Sequence, residues 1–440
     1  MHIILLSGGS GKRLWPLSND IRSKQFIKLF KKSDGTYESM VQRMYRGIKE
    51  VVPDADITVA ASKTQVSTIK NQLGGDVNVS VEPSRRDTFP AIALACAYVC
   101  SVCGVKRDDP IVICPVDPYV DDSYFKALSD LYDAAASNDG NLFLMGIKPT
   151  YPSEKYGYII PDASKKVAEN LLPVSEFKEK PDEATAAEYI KKGALWNAGV
   201  FAFKLDYVLK IAESIFGSSD YDTLFTSYDK LTKISFDYAV AEKEDNILVM
   251  GFSGEWKDLG TWNTFCESMD DELIGEGIIG DACENINIIN ELDVPILAMG
   301  LKDMVIAASS DGIIVSDKHQ SSYIKPFVDK IDRPVMYADK SWGSFRIIDV
   351  EDDSLTIKVT LYPGHKMKYH AHDRRDEVWS VISGEGVAIV DGMENAVVPG
   401  DVITIAAGCK HTIIAKTTLK LIEVQLGKDI DIKDKTVYDE

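Results

Sequence analysis

Between residues 5 and 26 the chain reads LLSGGSGKRLWPLSNDIRSKQF, and the residue types there suit the phosphates of a nucleotide. A hydrophobic run at residues 3–6 leads into Ser7, Gly8, Gly9 and Gly11. Glycines reach backbone angles closed to other residues and let a ligand approach the chain, so successive N–H groups can turn toward anionic oxygens. Lys12, Arg13 and Lys24 add positive charge. Two common phosphate loops are excluded by single residues. A Walker loop needs glycine where Leu6 stands and a hydroxyl residue where Arg13 stands, and a dinucleotide fingerprint needs glycine in place of Leu14.

Five further clusters carry chemistry. VEPSRRDTFPAI places Arg85, Arg86, Asp87 and Thr88 just before a helix. Asp117 follows the apolar run PIVICPV, and Asp258 lies in GEWKDLGTW on a tight turn; carboxylates at strand ends suit a hard, oxygen-preferring cation. SEFKEKPD and LWNAGVF bring Glu179, Lys180 and Asn197, groups suited to sugar hydroxyls and a phosphate. Near the C-terminus His370 and His372 are two apart on a strand and so share a face. Glu377 and, after PGDVITIAAGCK, His411 complete a set of three imidazoles and a carboxylate, which suits Zn2+, Mn2+, Fe2+ or Ni2+. His365 and Lys366 are second-rank candidates beside them.

These residues need a frame. To about residue 270, short apolar strands such as HIILLS, ADITVAAS, PIVICPV and NLFLMGI alternate with amphipathic or apolar stretches such as SMVQRMYRGIKEV and FPAIALACAYVCSV. Such alternation predicts an α/β fold with a mainly parallel, Rossmann-like sheet, whose ligands sit at the carboxyl ends of strands. From about 275 to 330, NINIIN, VPILAMG, MVIAAS and GIIVSD suggest a small β-coil, either a short left-handed β-helix segment or a meander. From about 340 to 425 nearly every segment reads as strand, which predicts a small antiparallel β-barrel. Expected boundaries are 1–272, 273–332 and 333–440.

With 440 residues, 45% of them hydrophobic, the chain has material for two or three cores. A net charge of −19 argues against nucleic acid or an anionic membrane as partner, and any phosphate-binding cations must be local. No leader and no spanning apolar run is evident, so a cytoplasmic protein acting on small-molecule substrates is expected. Seven scattered cysteines do not make a disulfide framework, and Cys100-x-x-Cys103, without a second such pair, reads as buried thiols.

Taken in order, GGSGKRLWPLS…KQF, EPSRRDTFPAI, PVD, FKEKPD, WNAGVF and WKDLGTW resemble the signatures of the sugar-1-phosphate nucleotidyltransferases, in particular bacterial mannose-1-phosphate guanylyltransferases, over about residues 1–330. The resemblance implies transfer from GTP to α-D-mannose 1-phosphate, giving GDP-mannose and pyrophosphate in nucleotide-sugar biosynthesis. It implies Mg2+ on Asp117 and Asp258, with Arg13 and Lys24 holding the triphosphate and pyrophosphate. Ser7, Gly8, Gly9, Gly11, Arg86, Asp87 and Thr88 would line the nucleotide site, and Gly157 of KYGYI would join Glu179, Lys180 and Asn197 in the hexose pocket. Asp87, Phe89 and Pro118 depart from the usual Asn, Ala and His, the first two near the expected base pocket. Another nucleotide or sugar 1-phosphate is the alternative. The barrel resembles a cupin of the type II mannose-6-phosphate isomerase kind, through KSWGSF, the HxH motif and LIEVQLG. That implies a transition metal, Zn2+, and either isomerase activity or a non-catalytic sugar-binding or regulatory module. Exposed apolar pieces of the β-coil suggest a homodimer.

Overall fold

The computed structural model describes the whole chain apart from Ser10, Gly11, Asp20, Asp332, Asp429, residues 431–433, Asp439 and Glu440. The described chain forms two compact units. Met1–Gly9, Lys28–Val66 and Asp76–Gly260 make the first, and Ser10–Ile27, Ser67–Gly75 and Thr261–Glu440 the second.

The first unit is built, among the described residues, on a nine-stranded sheet in the order Asn78–Glu82, Asp56–Ser62, His2–Ser7, Pro110–Pro115, Leu195–Lys204, Leu142–Ile147, Ile247–Phe252, Leu171–Lys178 and Tyr158–Pro161. The first four strands are parallel, and their near-continuous burial reflects helices covering both faces. Thr88–Ser101 is apolar on almost every side, so it is buried rather than amphipathic. Leu195–Lys204 runs antiparallel to both its central neighbours. Its register breaks between Asn197 and Phe201, where Gly199 takes a φ of 70°. That bulge follows directly on Asn197, which is the last paired residue before it, opposite Gly146.

In the second unit Leu273–Ile274, Asn287–Asn290 and Met304–Ser309 stack in parallel, as do Gly277–Ile279 and Ile296–Ala298. A meander would pair its strands antiparallel, so this segment is a β-coil, closed by the antiparallel strand Gly312–Asp317. The stretch after the glycine turn packs on it. Arg22 makes a two-pronged ion pair with Glu291 at 2.7 and 2.9 Å, and Trp262 Nε1–H and Ser309 Oγ–H donate to the carbonyls of Trp15 and Pro16. The C-terminal barrel consists, among the described residues, of a six-stranded and a five-stranded sheet, antiparallel throughout, around Trp379, Leu361, Ile413 and Leu421. The tail adds the edge strand Thr436–Val437 beside His370–Ala371.

Candidate active site and metal centre

The strand His2–Ser7 delivers the glycine turn to a cavity of about 250 Å³, walled by Gly8, Gly9, Glu82, Arg85, Arg86 and Asp87 among others. Gly9 has a φ of 99°, which only glycine takes without strain, while the space around Gly8 is open on the side a Cβ would occupy. Ser7 is buried at the same wall. Asp87 also has positive φ, 72°, and its carboxylate caps the helix Thr88–Ser101 by accepting the Thr88 N–H at 2.8 Å. Arg86 donates to the Asp229 carbonyl and lies 3.9 Å from its carboxylate.

Phe89 corrects an expectation. It is fully buried between Phe216 and Phe236, ring centroids 5.1 and 6.3 Å away, so it packs in the core rather than against a base. Gly11 lies outside the described residues. Arg13 and Lys24 stand on the 3-10 turns Lys12–Leu14 and Lys24–Phe26 and belong to the second unit.

A second cavity, of about 290 Å³, adjoins the first: Leu6 and Thr88 line both. Asp117 and Asp258 share it because Trp256–Asp258 pairs antiparallel with Pro118–Val120, setting Asp258 opposite the residue after Asp117. Gly157, Glu179 and Asn197 line the same space. Asn197 N–H donates to the Gly157 carbonyl at 2.8 Å, and a Cβ on Gly157 would stand 2.5 Å from Glu179 Oε2, so the glycine is what lets the carboxylate approach. Glu179 is 5% exposed, with its backbone N–H on Glu242 Oε1 at 3.0 Å and its carboxylate paired to Lys180. Lys180 takes a φ of 47°, in the left-handed region.

Among the groups of this cavity with no role in the sequence reading are Lys155, Tyr156, Trp256 and Asp237. Tyr156 and Trp256 were within reach, since KYGYI and GEWKDLGTW already held Gly157 and Asp258. Tyr156 packs on Trp196 at 4.6 Å and Trp256 at 5.9 Å, and burial, with Asp258 nearby, raises its phenol well above the ordinary range. Burial and, after it, the Glu179 charge push the Asp237 carboxyl up to about 7.

In the barrel of the second unit the His370, His372 and His411 ligand nitrogens lie within 4.8 Å of one another. Each ring is oriented from behind: Nδ1 of His370 meets the Lys368 carbonyl at 2.7 Å, that of His411 the Cys409 carbonyl at 2.9 Å, and that of His372 the Asp434 carbonyl. A carbonyl can only accept, so Nδ1 carries the proton and Nε2 keeps its lone pair, the usual preparation of a metal-ligating histidine. Burial pushes His370 down to about 3, which keeps it neutral. Glu377 completes the set, 3.0 Å from His372 Nε2 and 3.4 Å from His411 Nε2. His411 Nε2 is buried without a hydrogen bond, a costly state that a metal ion would relieve. The residues therefore fit a divalent transition metal. Arg375, which sequence reasoning missed, sits 3.2 Å from His372 Nε2 and 3.5 Å from Glu377.

An open α/β sheet with a glycine turn at a strand end, and two carboxylates at an adjoining cavity, defines a phosphate-transferring enzyme class. Residues 2–273 match the nucleotidyl transferase family, and the chain belongs to it. Residues 357–425 match the cupin domain. Among relatives, the chain is 29% identical to the mannose-1-phosphate guanylyltransferase RfbM of Salmonella typhimurium, over 96% of this chain and 94% of that one. It is also 29% identical to the xanthan biosynthesis protein XanB of Xanthomonas campestris, over 99% and 98%. A crystal structure from Thermus thermophilus, described as a mannose-1-phosphate geranyltransferase, superposes with a TM-score of 0.61 at 27% identity, covering 75% of this chain and 98% of that one. Among the described residues no helix is long and apolar enough to cross a membrane.

Proposed function

We propose that this chain is a mannose-1-phosphate guanylyltransferase, joining GTP and α-D-mannose 1-phosphate to give GDP-mannose and pyrophosphate. The observation that carries the reading is the pair of adjoining cavities sharing Leu6 and Thr88, one walled by the glycine turn, the other by two carboxylates and a sugar-binding polar set. The names of the relatives supply guanine and mannose. A sugar phosphate oxygen attacks the α-phosphorus, the bond from that phosphorus to the β-bridging oxygen breaks, and pyrophosphate leaves. The attacking oxygen is already ionised, so no general base is needed; the site has to align the two phosphates and offset their charge. Asp117 and Asp258 would hold Mg2+, which when bound neutralises charge on the phosphate oxygens. The backbone of Gly8 and Gly9 receives the nucleotide phosphates, and Glu179 and Asn197 orient the hexose.

The barrel centre of His370, His372, His411 and Glu377 would hold Zn2+, supplying a Lewis acid for a sugar carbonyl. With that donor set, the cupin reading is isomerisation of fructose 6-phosphate and mannose 6-phosphate; a sugar-binding regulatory module is the competing reading. The test is a matrix of four nucleoside triphosphates against several sugar 1-phosphates, read as pyrophosphate release. GTP with mannose 1-phosphate should give the highest kcat/KM, and equal or better turnover of another pair would refute the assignment. Zinc-loaded protein with fructose 6-phosphate decides the second activity: no mannose 6-phosphate above a His372→Ala control removes isomerisation.

A further inference from the structure

Asp237 stands in the sugar cavity on a short helix, Phe236–Ala239, whose place is fixed by the start of Thr88–Ser101. Phe236 N–H donates to Thr88 Oγ1 at 2.8 Å, Phe89 N–H to the Ile234 carbonyl at 3.1 Å, and Ser235 Oγ caps the helix through the Tyr238 N–H. From that anchored position Asp237 Oδ1 accepts a hydrogen bond from Asn197 Nδ2 at 2.8 Å. The other end of the same amide, Asn197 Oδ1, accepts the Gly199 N–H at 3.0 Å in the bulge of Leu195–Lys204.

An asparagine amide has one acceptor atom and one donor nitrogen with two hydrogens. Here both ends are engaged, and in opposite senses. Flipping the amide would set its N–H against the Gly199 N–H and give up the hydrogen bond it donates to Asp237, so one good contact is lost and the other becomes repulsive. The amide therefore has one orientation, in which the nitrogen keeps a second N–H. The Glu179 carboxylate raises the cost of placing another carboxylate here, and Lys180, which is paired to Glu179, partly offsets it. A leucine or alanine would avoid that cost, but neither would hold the amide.

Building on the transferase reading, we infer that Asp237 is a positioning residue of the sugar subsite: it holds Asn197 so that an amide N–H, not the amide oxygen, meets a hydroxyl oxygen of the pyranose 1-phosphate. Glu179 accepts from a hydroxyl and Asn197 donates to one, so the subsite discriminates by the direction of its hydrogen bonds.

The test uses the full chain and the substrate pair the matrix identifies. Asp237→Ala should raise KM for the sugar 1-phosphate at least tenfold and leave KM for the nucleotide within twofold. Asp237→Asn, whose side-chain oxygen can still accept from Asn197, should recover most of that loss. Because the effect passes through Asn197, the double variant with Asn197→Ala should be no worse than Asn197→Ala alone. An unchanged sugar KM in Asp237→Ala, a parallel rise in both KM values, or full additivity in the double variant each overturns the inference. Should Asp237→Ala not fold, Asp237→Asn and its double variant with Asn197→Ala decide by the same comparison. A wild-type protein that turns over no pair overturns the transferase reading and this inference with it, whereas an active wild type with an indifferent Asp237 overturns this inference alone.

Discussion

Gly157→Ala is the sharpest probe of the sugar cavity because the structure fixes what the new methyl group meets. Its Cβ would lie 2.5 Å from Glu179 Oε2, 3.2 Å from Phe177 Cζ and 3.3 Å from Asn197 Cβ. The first contact is short by close to 1 Å of the ordinary ~3.5 Å separation of non-bonded atoms, and the other two are already tight. Glu179 has little room to retreat, since its backbone N–H is tied to Glu242 and its carboxylate to Lys180. Overpacking of this kind costs about 1–3 kcal/mol. If that cost falls on ligand binding, KM for the sugar 1-phosphate rises about 5- to 150-fold at nearly constant nucleotide KM. Gly8→Ala is the matched control: nothing lies within 4 Å of its Cβ, and the methyl would enter the nucleotide cavity, so nucleotide KM should move instead. Steady-state kinetics with each substrate varied in turn decides. A Gly157→Ala enzyme with both KM values within twofold of wild type would refute the placement of the hexose beside Glu179.

Asp117→Asn and Asp258→Asn should each lower kcat by about 10³ or more at unchanged thermal stability, measured by pyrophosphate release across a Mg2+ titration; near-normal turnover in either removes that residue from the metal site. His411→Ala should drop zinc from one per chain to a trace after metal loading and dialysis, by elemental analysis, and full retention would show that the ion is held elsewhere. Asp237, raised to about 7 in the folded chain by burial and by Glu179, keeps a proton that the unfolded chain gives up near pH 4. Unfolding free energy should therefore fall as pH rises from about 4 to about 7, by up to about 4 kcal/mol, and Asp237→Asn should flatten that stretch of a denaturant-derived stability profile; parallel profiles would contradict it.

How far the site was legible in the sequence depended on distance along the chain. Residues whose partners are a turn away announced themselves: Gly9 in the opening turn and the HxH pair whose spacing puts two imidazoles on one face. Asp237 gave no signal, because an aspartate one residue inside a serine-capped helix start, SFDYA, is what any such start looks like. Leu171–Lys178 and Leu195–Lys204 were visible only as motifs and not as strands, since each carries a register break that spoils the alternation. Phe89 was misjudged for a related reason. Its neighbours Thr88 and Ala91 do wall a cavity, but on a helix an adjacent residue faces elsewhere. The attachment of residues 10–27 to the second unit rests on pairs such as Arg22 with Glu291, separated by 269 positions, and no local pattern encodes that.

Charge explains why the sugar cavity is arranged as it is. Four carboxylates, of Asp117, Glu179, Asp237 and Asp258, line the space proposed to receive a phosphorylated sugar, in a chain already at −19. Two unit charges about 4 Å apart interact by about 4 kcal/mol at the effective dielectric of a protein surface, so four ionised acids would repel the substrate they bind. The structure disposes of two of them. Glu179 is paired with its own neighbour, Lys180, and burial with the Glu179 charge raises the Asp237 carboxyl to about 7. Asp117 and Asp258 are the pair proposed to hold a divalent cation, whose charge would match theirs. If Mg2+ is held there as proposed, its charge would offset theirs, so that an acidic protein could take an anionic substrate without a basic surface.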